Sequence, residues 1–178
     1  MFLHTYQPTR VLLSIEPINI YWYGFFIVFG IISALFLCSR LAKYFSIKKD
    51  DVFDLGFWLL LYGLAGARIM YVLFSLSYYV RRPWEIFYLW QGGLAIQGAI
   101  LAGILTIYWW TKKNKVDFLN IISLSAIVMP LAQAIGRWGN YFNQELFGTP
   151  TDLPWGIPIN YILRPEKYLA YGDRKSVV

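Results

Sequence analysis

Charge is scarce in this sequence: 15% of its 178 residues are Asp, Glu, Lys or Arg, and cysteine and histidine occur once each. A single cysteine excludes an intramolecular disulfide framework. One cysteine with one histidine leaves too few thiolate and imidazole ligands for a zinc site of the usual kind. Intrinsic disorder is excluded as well, because 20% of the residues are aromatic and a disordered chain is poor in them. A soluble domain carries about 25% charged residues. Here 58% of the chain is hydrophobic, more than a core of this size can hide. The formal net charge is +6, but the bases stand in short clusters between apolar runs. That pattern orients a chain in a bilayer; it does not mark a nucleic-acid partner. The composition predicts an all-α, polytopic transmembrane helical bundle forming one domain over residues 1–172, with no repeat, low-complexity segment or flexible linker.

Four runs carry this reading. Ile20 to Ser39 is free of charge over 20 residues, enough to cross about 30 Å of hydrocarbon as a helix. Leu55 to Leu76 is apolar apart from Arg68, and Gly92 to Trp110 lacks acids and bases other than tyrosine. Phe118 to Ile135 is interrupted only by Pro130, which a transmembrane helix tolerates. Arg40, Lys43, Lys48 and Lys49 follow the first run, and Lys112, Lys113 and Lys115 follow the third. Arg10, Arg81 and Arg82 lie on the other side. The bias predicts the larger set inside and the N-terminus outside. Small residues recur every fourth position (Gly30 and Ala34; Gly63 and Ala67; Ala95, Ala99 and Gly103), as they do where helices approach closely in lipid. Cys38 is expected to serve packing, and His4 to sit in solvent or at the interface.

Depth follows from a rise of about 1.5 Å per helical residue. Tyr23 and Gln97 fall about 5 and 7 Å below the outer face, Arg68 about 10 Å below it, and Arg137 level with it. Four polar groups on four helices in the outer half suggest one outward-facing site. An arginine inside the membrane costs about 2.5–3.5 kcal/mol on insertion scales. Arg68 therefore reads equally as a ligand for a lipid phosphate and as a structural arginine paired with helix ends. The densest polar stretch is Gly136-Arg137-Trp138-Gly139-Asn140-Tyr141-Phe142-Asn143-Gln144-Glu145-Leu146-Phe147-Gly148. If its first part stays helical, Arg137, Asn140 and Gln144 share a face. Arginine offers a planar fork suited to phosphate oxygens, while asparagines add neutral donors. The same stretch is also what an ordinary polar helix end looks like.

At this stretch the sequence resembles the prolipoprotein diacylglyceryl transferase family of bacterial membranes. Trp22-Tyr23-Gly24, Gly66-Ala67-Arg68-Ile69-Met70-Tyr71 and Gly92-Gly93-Leu94-Ala95-Ile96-Gln97-Gly98 agree with it in order and spacing, so the resemblance covers roughly Ile18 to Lys167. It implies transfer of the diacylglyceryl group of phosphatidylglycerol to the lipobox cysteine of a preprolipoprotein, forming a thioether and releasing glycerol 1-phosphate. The implied place is the bacterial cytoplasmic (inner) membrane, among membrane lipids, without metal or organic cofactor. The candidates are Arg137, Asn140, Glu145 and Tyr23 for catalysis, and Arg137, Arg68, Asn143, Gly148 and Gln97 for substrate binding.

Two departures qualify the carry-over. The family commonly has a histidine where this chain has Gln97, and a glutamine cannot take a proton from a thiol at neutral pH. Glu145 could replace it only if burial made it a stronger base. The family also has seven membrane helices, about four of which are present here. The pattern stops around Leu163 to Tyr171, and residues 173–178 read as a translation of adapter DNA. The expectation is a truncated chain with an artefactual tail and little activity by itself. Two other classes stay open: a small anion transporter or channel subunit using Arg68 and Arg137, and a non-catalytic membrane scaffold. A transporter should hold its polar groups near the midplane in repeated halves, and neither feature is visible.

Overall fold

Long uncharged stretches in lipid must satisfy their own backbone polar groups, and here they do so as helices. The structure, a computed structural model, describes residues 8–16, 18–145, 148–152, 156–157 and 175–176. Among them the α-helices are α1 (Trp22–Leu41), α2 (Lys49–Phe74), the short α3 (Leu76–Tyr79), α4 (Ile96–Asn114) and α5 (Phe118–Asn143). The helical segments Trp22–Phe45, Lys49–Phe74 and Phe118–Asn143 are long and apolar enough to cross a membrane. At 26 residues, α2 and α5 are each about 39 Å long. The third expected span is helical but differs at its start. Gly92 and Gly93 have φ of 85° and 80°, so α4 begins only at Ile96 and carries Lys112 and Lys113 in its last turn.

Two compact units are present: Met1–Ala34 with Pro130–Val178, and Leu35–Met129. In the first, the start of α1 and the end of α5 pack antiparallel. A Cβ at Gly30 would meet Ile135 at 3.5 Å, and one at Gly139 would meet Tyr23 at 3.0 Å. The Trp22 and Phe142 rings stack with centroids 4.5 Å apart, and Phe26 lies against Phe142 at 5.6 Å. A hairpin precedes α1: β1 (Val11–Ile15) pairs antiparallel with β2 (Ile18–Tyr21). This corrects the first expected span, which starts at Trp22 and not at Ile20. Ile18 and Ile20 alternate with Asn19 and Tyr21 at period two, a strand signal. The Arg10 carbonyl then accepts from the Trp22 amide at 3.1 Å. Later in the chain, β3 (Pro150–Thr151) pairs with β4 (Lys175–Ser176), which places part of the expected tail. His4, Leu146 and Phe147 lie outside the described residues, as does Leu163 to Tyr171.

In the second unit, α2 and α4 cross with their backbones almost touching. A methyl at Gly98 would overlap the Gly66 carbonyl, and one at Gly66 would overlap Ala102. The Ala95 amide donates across the crossing to the Ala67 carbonyl at 3.0 Å. The small-residue rule thus finds the right helices and, in Ala67 and Ala95, part of the contact, but not its centre. The contact runs through Gly66, Gly98 and Ala102, while Gly63 meets nothing within 4 Å. Two facing glycines win because removing both Cβ atoms allows backbone contact. Toward the other end of the pair, Trp110 is 1% exposed and donates its indole N–H to Asp54 Oδ2 at 2.6 Å. Lys115, left-handed at φ 56°, ends α4, and Asp117 starts α5 by accepting from the Leu119 amide at 2.8 Å, an N-cap.

Candidate functional site

The two arginines singled out by the sequence meet different fates. Arg68 is 6% exposed on α2, inside a loop formed by residues 85–93. Nε donates to the Ile86 carbonyl at 2.8 Å. Nη1 donates to the Gly92 and Gly93 carbonyls at 2.7 and 2.9 Å. Nη2 donates to the Glu85 carbonyl at 2.6 Å and more loosely to that of Tyr88 at 3.5 Å. A guanidinium has five N–H donors, and here each faces a main-chain oxygen. With its donors so engaged, Arg68 has the surroundings that the structural reading of this arginine expects. Gly92 and Gly93 make the cage feasible. Their left-handed backbone turns both carbonyls inward, and a Cβ at Gly93 would stand 2.7 Å from Arg68 Nη1.

The outside of the same loop is held electrostatically. Tyr78 donates to Glu85 Oε2 at 2.6 Å and accepts from Arg82 Nη1 at 3.0 Å. Arg82 also approaches Glu85 Oε1 at 3.5 Å. The hydrogen bond to the Glu85 carboxylate pushes the Tyr78 phenol above the usual tyrosine range. Arg82 is raised too, chiefly by its bond to the Tyr78 oxygen.

The first unit carries an open amphiphilic cleft of about 650 Å³ at the beginning of α1. Tyr23 and Gly24 come from α1, Ile20 and Tyr21 from β2, Arg10 from the residue before β1, and Asn143 and Glu145 from the end of α5. The last pair arrives through a reversal of the chain. Gln144 is left-handed at φ 54°; its amide donates to the Tyr141 carbonyl and that of Glu145 to the Asn140 carbonyl, both at 3.1 Å. These are the two bonds of a Schellman motif, with glutamine where glycine is usual. The reversal corrects the expected shared face, since α5 stops at Asn143 and Gln144 no longer follows Arg137 and Asn140 around it. It also lets Asn143 Nδ2 donate to Glu145 Oε1.

Of the predicted residues, the cleft brings together Tyr23, Asn143 and Glu145. Arg137 and Asn140 do not line it. Arg137 is exposed on α5, two residues and so about 200° from Gly139, hence on the face turned away from α1. Asn140 is half-buried, and Gly148 is half-buried past the reversal. Gln97 belongs to the second unit, exposed in the first turn of α4. Arg10 was missed, because a basic residue ahead of an apolar run counts only toward topology until the hairpin folds it back. Cys38 is half-buried in α1. Among the described residues no group of three or more His, Cys, Asp or Glu is placed to hold a metal ion.

Fold and site define a polytopic helical membrane protein with an amphiphilic cleft where its first helix begins. The chain belongs to the prolipoprotein diacylglyceryl transferase family, whose description matches residues 10–171. It is similar to the phosphatidylglycerol–prolipoprotein diacylglyceryl transferase of Nostoc sp. (42% identity over 170 residues, 96% of this chain and 60% of the relative). It is similar also to that of Finegoldia magna (42% over 166 residues, 92% and 67%) and that of Thermotoga maritima (40% over 166 residues, 92% and 56%). The chain spans about 60% of the length of the curated relatives it matches.

Proposed function

We propose that this chain is the N-terminal part of a phosphatidylglycerol–prolipoprotein diacylglyceryl transferase of the bacterial cytoplasmic membrane. Its N-terminus and its cleft face outward. The family match over residues 10–171 is the observation that carries this reading, and the cleft supports it. The relatives' names favour it over the transport and scaffold alternatives. The reaction joins a lipobox cysteine thiol to the glyceryl carbon of phosphatidylglycerol and expels glycerol 1-phosphate. Charge develops on the departing phosphate, and an arginine fork is the side chain best shaped to hold it. By its place in the motif Arg137 takes that role, from the face of α5 outside the cleft, with Asn140 and Gly148 in the same motif, while Tyr23, Asn143 and Glu145 line the cleft itself. Arg68 acts through the loop it holds and is a positioning residue. Gln97 can offer the substrate a neutral amide but not a base.

The test is a chimera in which residues 10–171 replace the matching segment of a full-length relative. It is expressed in a strain depleted of its own transferase, and lipidation of a lipobox substrate is read by mass shift. Restored lipidation is expected. A chimera that reaches the membrane in normal amount and lipidates nothing would remove the reading.

A further inference from the structure

The cleft at the start of α1 contains one cation, and the family motifs do not include it. Arg10 is exposed, and its guanidinium makes no hydrogen bond among the described residues. The acid that also lines the cleft, Glu145, is instead bonded by Asn143. Among the described residues the ion pair within 4.0 Å is that of Arg82 with Glu85, so Arg10 is not neutralised by Glu145. The first turn of α1 carries no acidic residue, and its N-terminal amides add partial positive charge on the same side. The same cleft is lined by the apolar side chains of Ile20 and Phe25. An unengaged fork in a cleft that is also lined by apolar side chains suits an amphiphile whose polar end is a phosphate. The main chain of Arg10 is fixed by the Trp22 amide, so the fork is presented from a hairpin and not from a loose end.

We propose that Arg10 holds the phosphate of an anionic glycerophospholipid in this cleft, with the apolar part of the lipid against Ile20 and Phe25. The proposal rests on the transferase reading above and adds a phosphate ligand to it. A free glycerol phosphate presents the same chemistry, so the experiment separates the two.

The whole chain is placed in nanodiscs of phosphatidylcholine with a minor share of phosphatidylglycerol, and the lipid retained after extraction is measured by native mass spectrometry. Wild type, Arg10→Gln and Arg10→Lys are compared, with and without soluble glycerol 1-phosphate. Wild type is expected to enrich phosphatidylglycerol. Arg10→Gln should lose that enrichment by about tenfold, as expected for a charge-assisted contact. Arg10→Lys should recover only part, because an ammonium lacks the fork. Helix content by circular dichroism should be the same in all three, since Arg10 supports no packing; Arg10→Lys carries the comparison should the glutamine variant misfold. Equal enrichment in wild type and both variants overturns the proposal and leaves the transferase reading standing. A variant that keeps lipid selectivity and loses only the effect of glycerol 1-phosphate overturns it in favour of a free-phosphate site. Absence of any selectivity in wild type overturns the transferase reading of the cleft, and the proposal with it.

Discussion

Arg68 and Arg137 look alike in the sequence, each a lone base in an apolar helix, yet the structure treats them oppositely. Around Arg68 five main-chain carbonyls use every donor, and two glycines with positive φ complete the enclosure. Around Arg137 there is open surface and no bond among the described residues. A buried guanidinium with all its donors satisfied is architecture. An exposed one with none satisfied is available to a ligand. Charge and depth cannot separate these cases; the count of unspent donors can.

The comparison breaks most visibly at Arg68. Arg68→Ala leaves a ring of carbonyls without donors, and each buried one costs about 1–3 kcal/mol. A destabilisation of at least ~3 kcal/mol is expected, read as loss of folded protein from the membrane fraction. Arg68→Lys should fail nearly as far, since three donors on one atom cannot reach five oxygens. Normal accumulation of either variant would show that the loop is held by something else. Arg137 should behave in reverse. In a full-length transferase carrying this segment, Arg137→Ala should leave membrane abundance unchanged and lower lipidation about 10²–10³-fold. Arg137→Lys should be nearly as poor; near wild-type turnover would mean that Arg137 merely anchors a helix end.

Glycine substitutions sharpen the contrast at smaller cost. Gly98→Ala pushes a methyl into the Gly66 carbonyl and should cost about 1–3 kcal/mol, the usual range for overpacking. Gly24→Ala meets nothing within 4 Å and should change stability by less than ~0.5 kcal/mol. Denaturant titration of the two variants side by side decides it. Smallest is the titration of Tyr78. Its phenol is raised in the folded chain, so this linkage favours folding below the ordinary tyrosine range and is lost as pH rises through the folded value. Glu85→Gln should bring the phenol back down, visible in the ultraviolet difference titration against Tyr78→Phe. An unmoved titration would detach Glu85 from Tyr78.

Much of this was legible in the residues. The apolar runs located the long helices but not all their ends, since α2 starts six residues earlier and α5 ends eight residues later than the runs, and the polar stretch after Pro130 contained Asn143 and Glu145. What could not be read has a common physical origin, the main chain. The partners of Arg68 are carbonyl oxygens 17 to 25 residues further on, and carbonyls leave no trace in a side-chain pattern. The left-handed turn at Gln144 stands on a residue type that gives no warning of it. Arg10 reached the cleft only because Ile18 and Ile20 formed a strand where an apolar run suggested more helix. The predicted stripes included Ala67 and Ala95, which do meet, but missed Gly66 and Gly98, which become a pair only once α2 and α4 have crossed.

The carbonyl cage also imposes a timetable on biogenesis. Arg68 is synthesised before every one of its partners, the last of which, Gly93, follows 25 residues later. At about 5–20 residues per second, α2 must wait on the order of 1–5 s with its guanidinium unsatisfied. Partitioned alone into lipid during that interval, it would carry the full insertion cost of a charged residue. The segment is therefore expected to stay beside the translocon until the Gly92-Gly93 turn emerges, and to enter the bilayer together with α4. Ribosome stalling placed just before residue 92 should trap α2 at the insertion machinery, whereas stalling after α4 should release the pair.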